Sequence, residues 1–209
     1  MKKLVIIGGG GHSRSVLDSF FISSVSDYYE LVIVDRKENL GKEVSGIKIT
    51  ATDEQLEELF ENGYRYAFIA MGSIESTRMR RRLYDKVKAI GFEFINIIDK
   101  TALTASDVKI GKGVFIGKYA IVNAGTSIGD MVIINTRATV EHECFVEEFC
   151  HVSVGSILCG NVFVGQDSFV GANSTILQGE NIGKNSIIAA GSLVRNSKVY
   201  LGMKSYDLH

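Results

Sequence analysis

From residue 110 onward the chain carries one unbroken pattern. Every sixth residue is aliphatic, from Ile110, Ile116, Val122, Ile128 and Ile134 through Val140, Val146, Val152, Leu158 and Val164 to Val170, Ile176, Ile182, Ile188 and Val194, fifteen matches in succession. Two places before each stands a small residue or valine, among them Ala120, Thr126, Ala138, Cys144, Cys150, Ser156 and Ser174, with Glu180 as the exception. Gly or Asn recurs directly after the aliphatic position, as at Gly111, Gly117, Asn123, Gly129, Asn135, Gly165, Gly171 and Gly183. A fixed hexad matches neither the 3.6-residue period of a helix nor the period of two in a hairpin array. A chain that turns a corner every six residues closes a three-sided prism, with one aliphatic side chain per face on the axis and a small one in each corner. Three hexads make a coil, so the pattern predicts a left-handed parallel β-helix of five coils. Gly and Asn are expected to supply the positive φ angles of the corners.

The first half has a different rhythm. Lys3 to Ile7 is a continuous apolar strand that runs into Gly8-Gly9-Gly10-Gly11-His12-Ser13, after which Val16, Leu17, Phe20 and Phe21 recur at helical spacing. Leu31 to Val34 reads as a second strand closed by Asp35, and Tyr66 to Met71 as a third. Thr52 and Gln55 form a capping box for a helix carrying Leu56, Leu59 and Phe60, which Gly63 stops. A further helix over 77–90 ends at Gly91, and 92–98 completes the strands. Strands alternating with helices predict a Rossmann-like parallel α/β domain over 1–99, followed by the prism over 100–209, with 99–105 as the junction.

Composition narrows the function. With 209 residues, 45% of them apolar, the chain is long enough to bury a core, and 22 glycines with no proline exclude collagen and proline-rich linkers. A balance of 23 basic and 24 acidic residues offers no general attraction to nucleic acid or to an anionic membrane. No 18-residue apolar run occurs and the N-terminus has no signal-peptide pattern, so a cytosolic protein is expected. Cys144, Cys150 and Cys159 form no Cys-x-x-Cys pair, and the histidines (His12, His142, His151, His209) are irregularly spaced, so neither a disulfide framework nor a metal site is expected.

Two places carry candidate chemistry. A strand, a run of glycines and a helix start together present bare backbone N–H groups and the positive end of a helix dipole to a phosphate or diphosphate. Ser13 stands where a dinucleotide fingerprint has its third glycine, which favours a nucleotide other than NAD, and Asp35 is placed to accept from a ribose or base. Arg78, Arg80, Arg81 and Arg82 read as a solvated helix face. On the prism, His142 lies between Glu141 and Glu143, two places past Val140 and therefore at a corner. An imidazole beside a carboxylate suits a general base, because the carboxylate sets the tautomer and stabilises the imidazolium. His151 follows nine residues later, half a coil away, so the two histidines meet only across an interface between subunits. Flat prism faces invite threefold packing, and a homotrimer with active clefts lined by two chains is the expected assembly.

The glycine loop, Ile134-Asn135-Thr136, Val140-Glu141-His142-Glu143-Cys144, His151-Val152-Ser153-Val154-Gly155 and Gly160-Asn161-Val162 together resemble the NeuD-type acetyltransferases of bacterial sugar pathways, across essentially the whole chain. That family includes sialic acid O-acetyltransferases and N-acetyltransferases acting on UDP-linked 4-amino-4,6-dideoxy sugars, notably in bacillosamine synthesis. The resemblance implies acetyl-CoA as co-substrate, no metal, His142 as general base and Glu143 as the residue raising its basicity. It places His151, Gly160, Ala172 and Ala190 at the coenzyme, and Gly10, Gly11, His12, Asp35, Arg36, Gly72 and Asn135 at a UDP-amino sugar. The chain departs from the family pattern at Gly202-Met203-Lys204-Ser205, which lacks the proline of a Gly-x-Pro-Ala-Lys turn, and at Arg36, where relatives have a second acidic residue. Sialic acid O-acetylation and a non-catalytic nucleotide-sugar-binding trimer stay open beside N-acetylation.

Overall fold

The structure, a computed structural model, describes residues 1–23 and 26–195. The Gly202 to Ser205 turn and His209 lie outside the described residues. The chain forms two compact units, one of Met1–Gly72 with Arg78–Ile97 and one of Ser73–Thr77 with the chain from Ile98 onward. Among the described residues no helix is long and apolar enough to cross a membrane.

In the first unit, β1 (Lys2–Ile7), β2 (Tyr29–Val34), β3 (Glu43–Val44), β4 (Ile47–Ala51), β5 (Tyr66–Ile69) and β6 (Glu93–Phe94) form one sheet in the order β3-β4-β2-β1-β5-β6. All neighbours run parallel except the β3–β4 hairpin. Leu4, Val5 and Ile6 in the central strand are wholly buried, as a parallel sheet covered on both faces requires. The helices are α1 (Gly11–Ile22), α2 (Leu56–Glu61) and α3 (Arg78–Ile90). α1 buries Val16, Leu17 and Phe20, and the Thr52–Gln55 capping box forms ahead of α2.

Three features depart from the sequence expectations. The β3–β4 hairpin was not anticipated, because its only sequence signals are the short alternation Ile47, Ile49, Ala51 and the Ser45-Gly46 turn, whose two positive φ angles (51° and 79°) match the right-handed twist of the strands. Arg80 is buried rather than solvated, since 80, 83 and 87 fall on one helical stripe that α3 turns inward with Leu83 and Val87. The single strand expected over 92–98 is two: Glu93–Phe94 closes the first sheet, while Ile98 already packs on the prism core. The expected junction is then part of the first coil, with Asp99 N–H, Leu103 N–H and Ala105 N–H donating to Ile116, Ala120 and Val122.

The second unit is the left-handed β-helix, three stacked parallel sheets of six, six and five two-residue strands. Each strand pairs with the one eighteen residues on, as Thr139↔Ile157 and Val140↔Leu158 show. The aliphatic ladder from Val122 to Val194 is at most 2% exposed. The small corner residues are buried with it, and their polar atoms follow a rule of their own. Thr126 Oγ1, Ser156 Oγ, Ser168 Oγ and Ser174 Oγ donate to the carbonyls of Glu141, Gly171, Gly183 and Ala189 at 2.7–2.9 Å. Cys144 and Cys150 do the same through sulfur, each 3.1 Å from the carbonyl of Cys159 or Gly165. Burial pushes the Cys144 thiol pKa up, so it stays protonated at neutral pH.

The glycines behave differently from expectation. Positive φ falls at every sixth residue from Gly113 to Gly191, three places after the aliphatic residue, and it is adopted by Tyr119, Met131, Arg137, Glu143 and Phe149 as well as by glycine and asparagine. The glycines directly after the aliphatic residue are there because the next coil leaves no room. A Cβ on Gly129 would lie 2.6 Å from Glu148 N, one on Gly165 2.6 Å from Lys184 N, and one on Gly171 2.5 Å from Ala190 N. Gly129→Ala is therefore expected to destabilise the prism by about 3 kcal/mol, whereas Gly179→Ala, with positive φ but nothing within 4 Å of its Cβ, costs only about 1 kcal/mol. Chemical denaturation of the two variants checks the ordering.

Candidate active site

The axial Val140 ends a strand, and the corner that follows lifts residues 141–143 out of the prism. Glu143 occupies the positive-φ position (φ 58°), which turns the chain and sets its side chain beside that of His142. His142 Nδ1 and Glu143 Oε2 are 3.2 Å apart, both side chains being exposed. A carboxylate at neutral pH only accepts, so Nδ1–H donates and the lone pair is left on Nε2. The imidazole lies directly over Gly160, eighteen residues on: a Cβ there would be 2.5 Å from Nε2 and 2.6 Å from Cε1. Gly160 gives its carbonyl to Gly179 N–H (3.0 Å), while among the described residues its own N–H has no acceptor. The corner thus brings a basic nitrogen and a bare backbone donor together, the elements needed to take a proton and to hold a developing oxyanion.

His151 has other partners. It is buried, its Nδ1 faces the Ser73 carbonyl at 3.0 Å, its Nε2 faces Asn135 Nδ2 at 3.2 Å, and Phe169 meets the ring edge-on. Asn135 Oδ1 accepts from Thr136 N–H at 2.8 Å, which orients the amide so that Nδ2 donates to His151 and Nδ1–H of the ring donates to Ser73. The structure therefore places His151 and Asn135 in one buried network that pins Ser73–Thr77 to the prism, where Thr77 also donates to Asp167. Ala172 and Ala190 stand eighteen residues apart on a different corner, half-buried and exposed respectively.

In the first unit the glycine loop lines a hollow of about 300 Å³ together with His12, Asp35, Arg36, Asn39 and Gly72. Gly8 has φ 109° and a Cβ on Gly9 would lie 2.7 Å from Asp35 Oδ2, whereas Gly10 and Gly11 have nothing within 4 Å of a notional Cβ. Gly10 is the N-cap of α1, with no side-chain cap and no acidic residue in the first turn, so the helix N-terminus is open to the hollow. Ser13, in place of the third glycine, is buried and ties the Gly8 carbonyl to the helix. The Asp35 carboxylate takes Gly9 N–H (2.8 Å), Arg36 N–H (2.7 Å) and Asn39 Nδ2 (3.2 Å), so it organises the loop as well as lining it. Sequence reasoning missed Asp53, Met71 and Met79, which line an adjoining cavity of about 100 Å³, because no local signal brings the end of β4 and the face of α3 beside β1. Among the described residues no three His, Cys, Asp or Glu side chains gather as metal ligands.

Because the imidazole rests on residue 160, Gly160→Ala is expected to displace His142 without loosening the prism. The His142 NMR resonances should shift while the melting temperature changes by only a few degrees; an unmoved imidazole would contradict the packing described.

Residues 3–87 match the model of the PglD N-terminal domain, and residues 107–136 and 161–195 that of the hexapeptide repeat of succinyl-transferase. Among solved structures, a histidine-to-asparagine variant of perosamine N-acetyltransferase from Caulobacter crescentus, in complex with CoA and GDP-perosamine, is 32% identical over 95% of this chain and 91% of that one, with a TM-score of 0.86. The acetyltransferase domain of PglB from Neisseria gonorrhoeae FA1090 is 29% identical over 93% of this chain and 92% of that domain, with a TM-score of 0.83. The carnitine operon protein CaiE of Escherichia coli is 37% identical over 107 residues, 47% of this chain, and the match spans about half (53%) of the length of that relative. The chain belongs to the sugar N-acetyltransferases of the left-handed β-helix family, with a PglD-type N-terminal domain ahead of its hexapeptide repeats.

Proposed function

We propose that the protein transfers the acetyl group of acetyl-CoA directly to the 4-amino group of a nucleoside-diphosphate-linked amino-dideoxy sugar. The observation that carries this reading is the corner geometry: an exposed His142 side chain, its tautomer set by Glu143, directly above Gly160. The amine nitrogen attacks the thioester carbonyl and forms the C–N bond while His142 Nε2 takes the departing proton. Negative charge gathers on the carbonyl oxygen, where the Gly160 N–H donates. The C–S bond then breaks, and the CoA thiolate recovers the proton from the imidazolium that Glu143 has stabilised. A positioned base of this kind contributes about 10²- to 10⁴-fold to rate.

The open N-terminus of α1 suits the diphosphate of the acceptor, as helix N-termini suit anions generally. The sequence resemblance points to a UDP-linked sugar of the bacillosamine type, while perosamine N-acetyltransferase holds a GDP-linked one. CoA and acetyl-CoA are bound by the solved relatives, and the small side chains of Ala172 and Ala190, half-buried and exposed, are compatible with a coenzyme contact there. Support for a homotrimer with shared clefts comes from one prism face, where Leu103, Ile121, Thr139, Ile157, Thr175 and Leu193 form a continuous outward ladder with Leu103, Ile157 and Leu193 exposed. Sedimentation equilibrium should return three chains, and a stable monomer would exclude shared clefts.

Incubation with acetyl-CoA and a panel of UDP- and GDP-linked amino sugars, with free sialic acid alongside, should release thiol only with an amino sugar. His142→Ala should lower kcat by about 10²- to 10⁴-fold with an unchanged melting temperature. Turnover on sialic acid alone would reassign the acceptor to a hydroxyl, no turnover with any acceptor would favour a binding module, and undiminished kcat in His142→Ala would remove the base.

A further inference from the structure

The cavity of about 100 Å³ and the glycine-loop hollow share Gly8, Asp35, Arg36 and Met71 in their walls. Both lie past the carboxyl ends of β1 and β2, beside the point between β1 and β5 where the strand order reverses, the position at which open parallel sheets hold ligands. The rest of the smaller cavity is apolar, from Ile7, Val34, Met79 and Leu83, with one further polar residue, Asp53. Mostly apolar walls with a few polar groups among them are the lining by which proteins hold small ring systems.

Asp53 is not occupied by the local structure. Thr52 and Gln55 already cap the turn that it opens, and Lys86 Nζ holds the Asp53 backbone carbonyl. The turn therefore stands without the Asp53 side chain, and no described residue donates a hydrogen bond to its carboxylate. Asp35, by contrast, already receives three donors.

We infer that this cavity holds the base of the nucleotide and that the base is guanine. This deepens the reading of the glycine loop as a diphosphate site and rests on it. An ionised carboxylate only accepts hydrogen bonds. Guanine presents two adjacent donors, N1–H and the 2-amino group, which pair with the two oxygens of one carboxylate. Uracil presents a single N–H between two carbonyl oxygens, and those oxygens are repelled by a carboxylate. Adenine and cytosine each place one amino donor next to a ring acceptor. Arg36 also lines the cavity, and its exposed guanidinium, 4.0 Å from the Glu38 carboxylate, has the chemistry with which arginine meets guanine O6 and N7 elsewhere. A site whose polar group is matched by the ligand rejects an analogue that leaves it unpaired.

Titration calorimetry of the full chain with GDP, UDP and inorganic pyrophosphate tests this. GDP should bind about 10- to 100-fold more tightly than UDP. Asp53→Asn, which keeps the turn and its cap, should weaken GDP about tenfold or more and leave pyrophosphate unchanged. UDP binding as tightly as GDP, or GDP affinity untouched by Asp53→Asn, would overturn the base assignment while leaving the diphosphate site in place. Absence of binding by all three probes would remove the diphosphate site and the base site together.

Discussion

The hydrogen bond that joins one coil of the prism to the next governs most of what the second unit can be. Asn123 N–H donates to the Val140 carbonyl, Gly129 N–H to Val146, Glu141 N–H to Leu158, and the same offset repeats along the chain. The ladder holds neighbouring coils at strand spacing, about 4.8 Å, and that distance decides which residues fit between them. Glycine is forced where a Cβ would strike the next coil's backbone, as at Gly129, Gly165 and Gly171. Where the corner instead bulges outward, the strained φ is borne by whatever residue the surface calls for, including Tyr119, Arg137 and Glu143. Each such residue costs about 1 kcal/mol, an amount that the two flanking ladder bonds and the burial of an axial aliphatic residue offset.

The reactive corner is a product of the same ladder. Stacking at eighteen residues puts Gly160 under His142, so the imidazole has a floor of bare backbone instead of a side chain. The positive φ that turns the chain at residue 143 is what brings a carboxylate alongside the ring. Neither feature is peculiar to the site: both recur at other corners, and the chemistry arises from the residue types placed there. That is a general economy of repeat folds, in which a fixed backbone offers many equivalent positions and a few of them carry function.

The first unit solves a different problem. Its parallel strands leave an open edge of carboxyl ends, and the glycine loop keeps that edge free of side chains at Gly10 and Gly11. Asp35 neutralises the donors at the start of the loop and Ser13 anchors its far end, so the loop is held rigid by its own chain before any anion arrives. Pre-ordering of this kind removes the entropic cost of organising a loop around a ligand.

The hexad was legible because a six-residue turn admits only one register: an axial position, a small corner and an outward residue repeat in the order in which they occur in the chain. The strand-loop-helix of residues 3–21 and the capping box at Thr52 were legible for the same reason, being set by neighbours in sequence. Position alone could also mark His142 and Glu143 as a corner pair. What only the tertiary structure decided concerns contacts between residues far apart. In the sequence His151 is only a histidine half a coil from His142, and folding sets Ser73 and Asn135 against its two nitrogens. Arg80 reads as one of a charged cluster until α3 turns it inward. Nothing local shows that the preceding coil sets His142 upon Gly160, or that β4 carries Asp53 to the wall of a largely apolar cavity. Periodicity along a chain determines which way a side chain faces, but what it faces depends on segments brought together by folding.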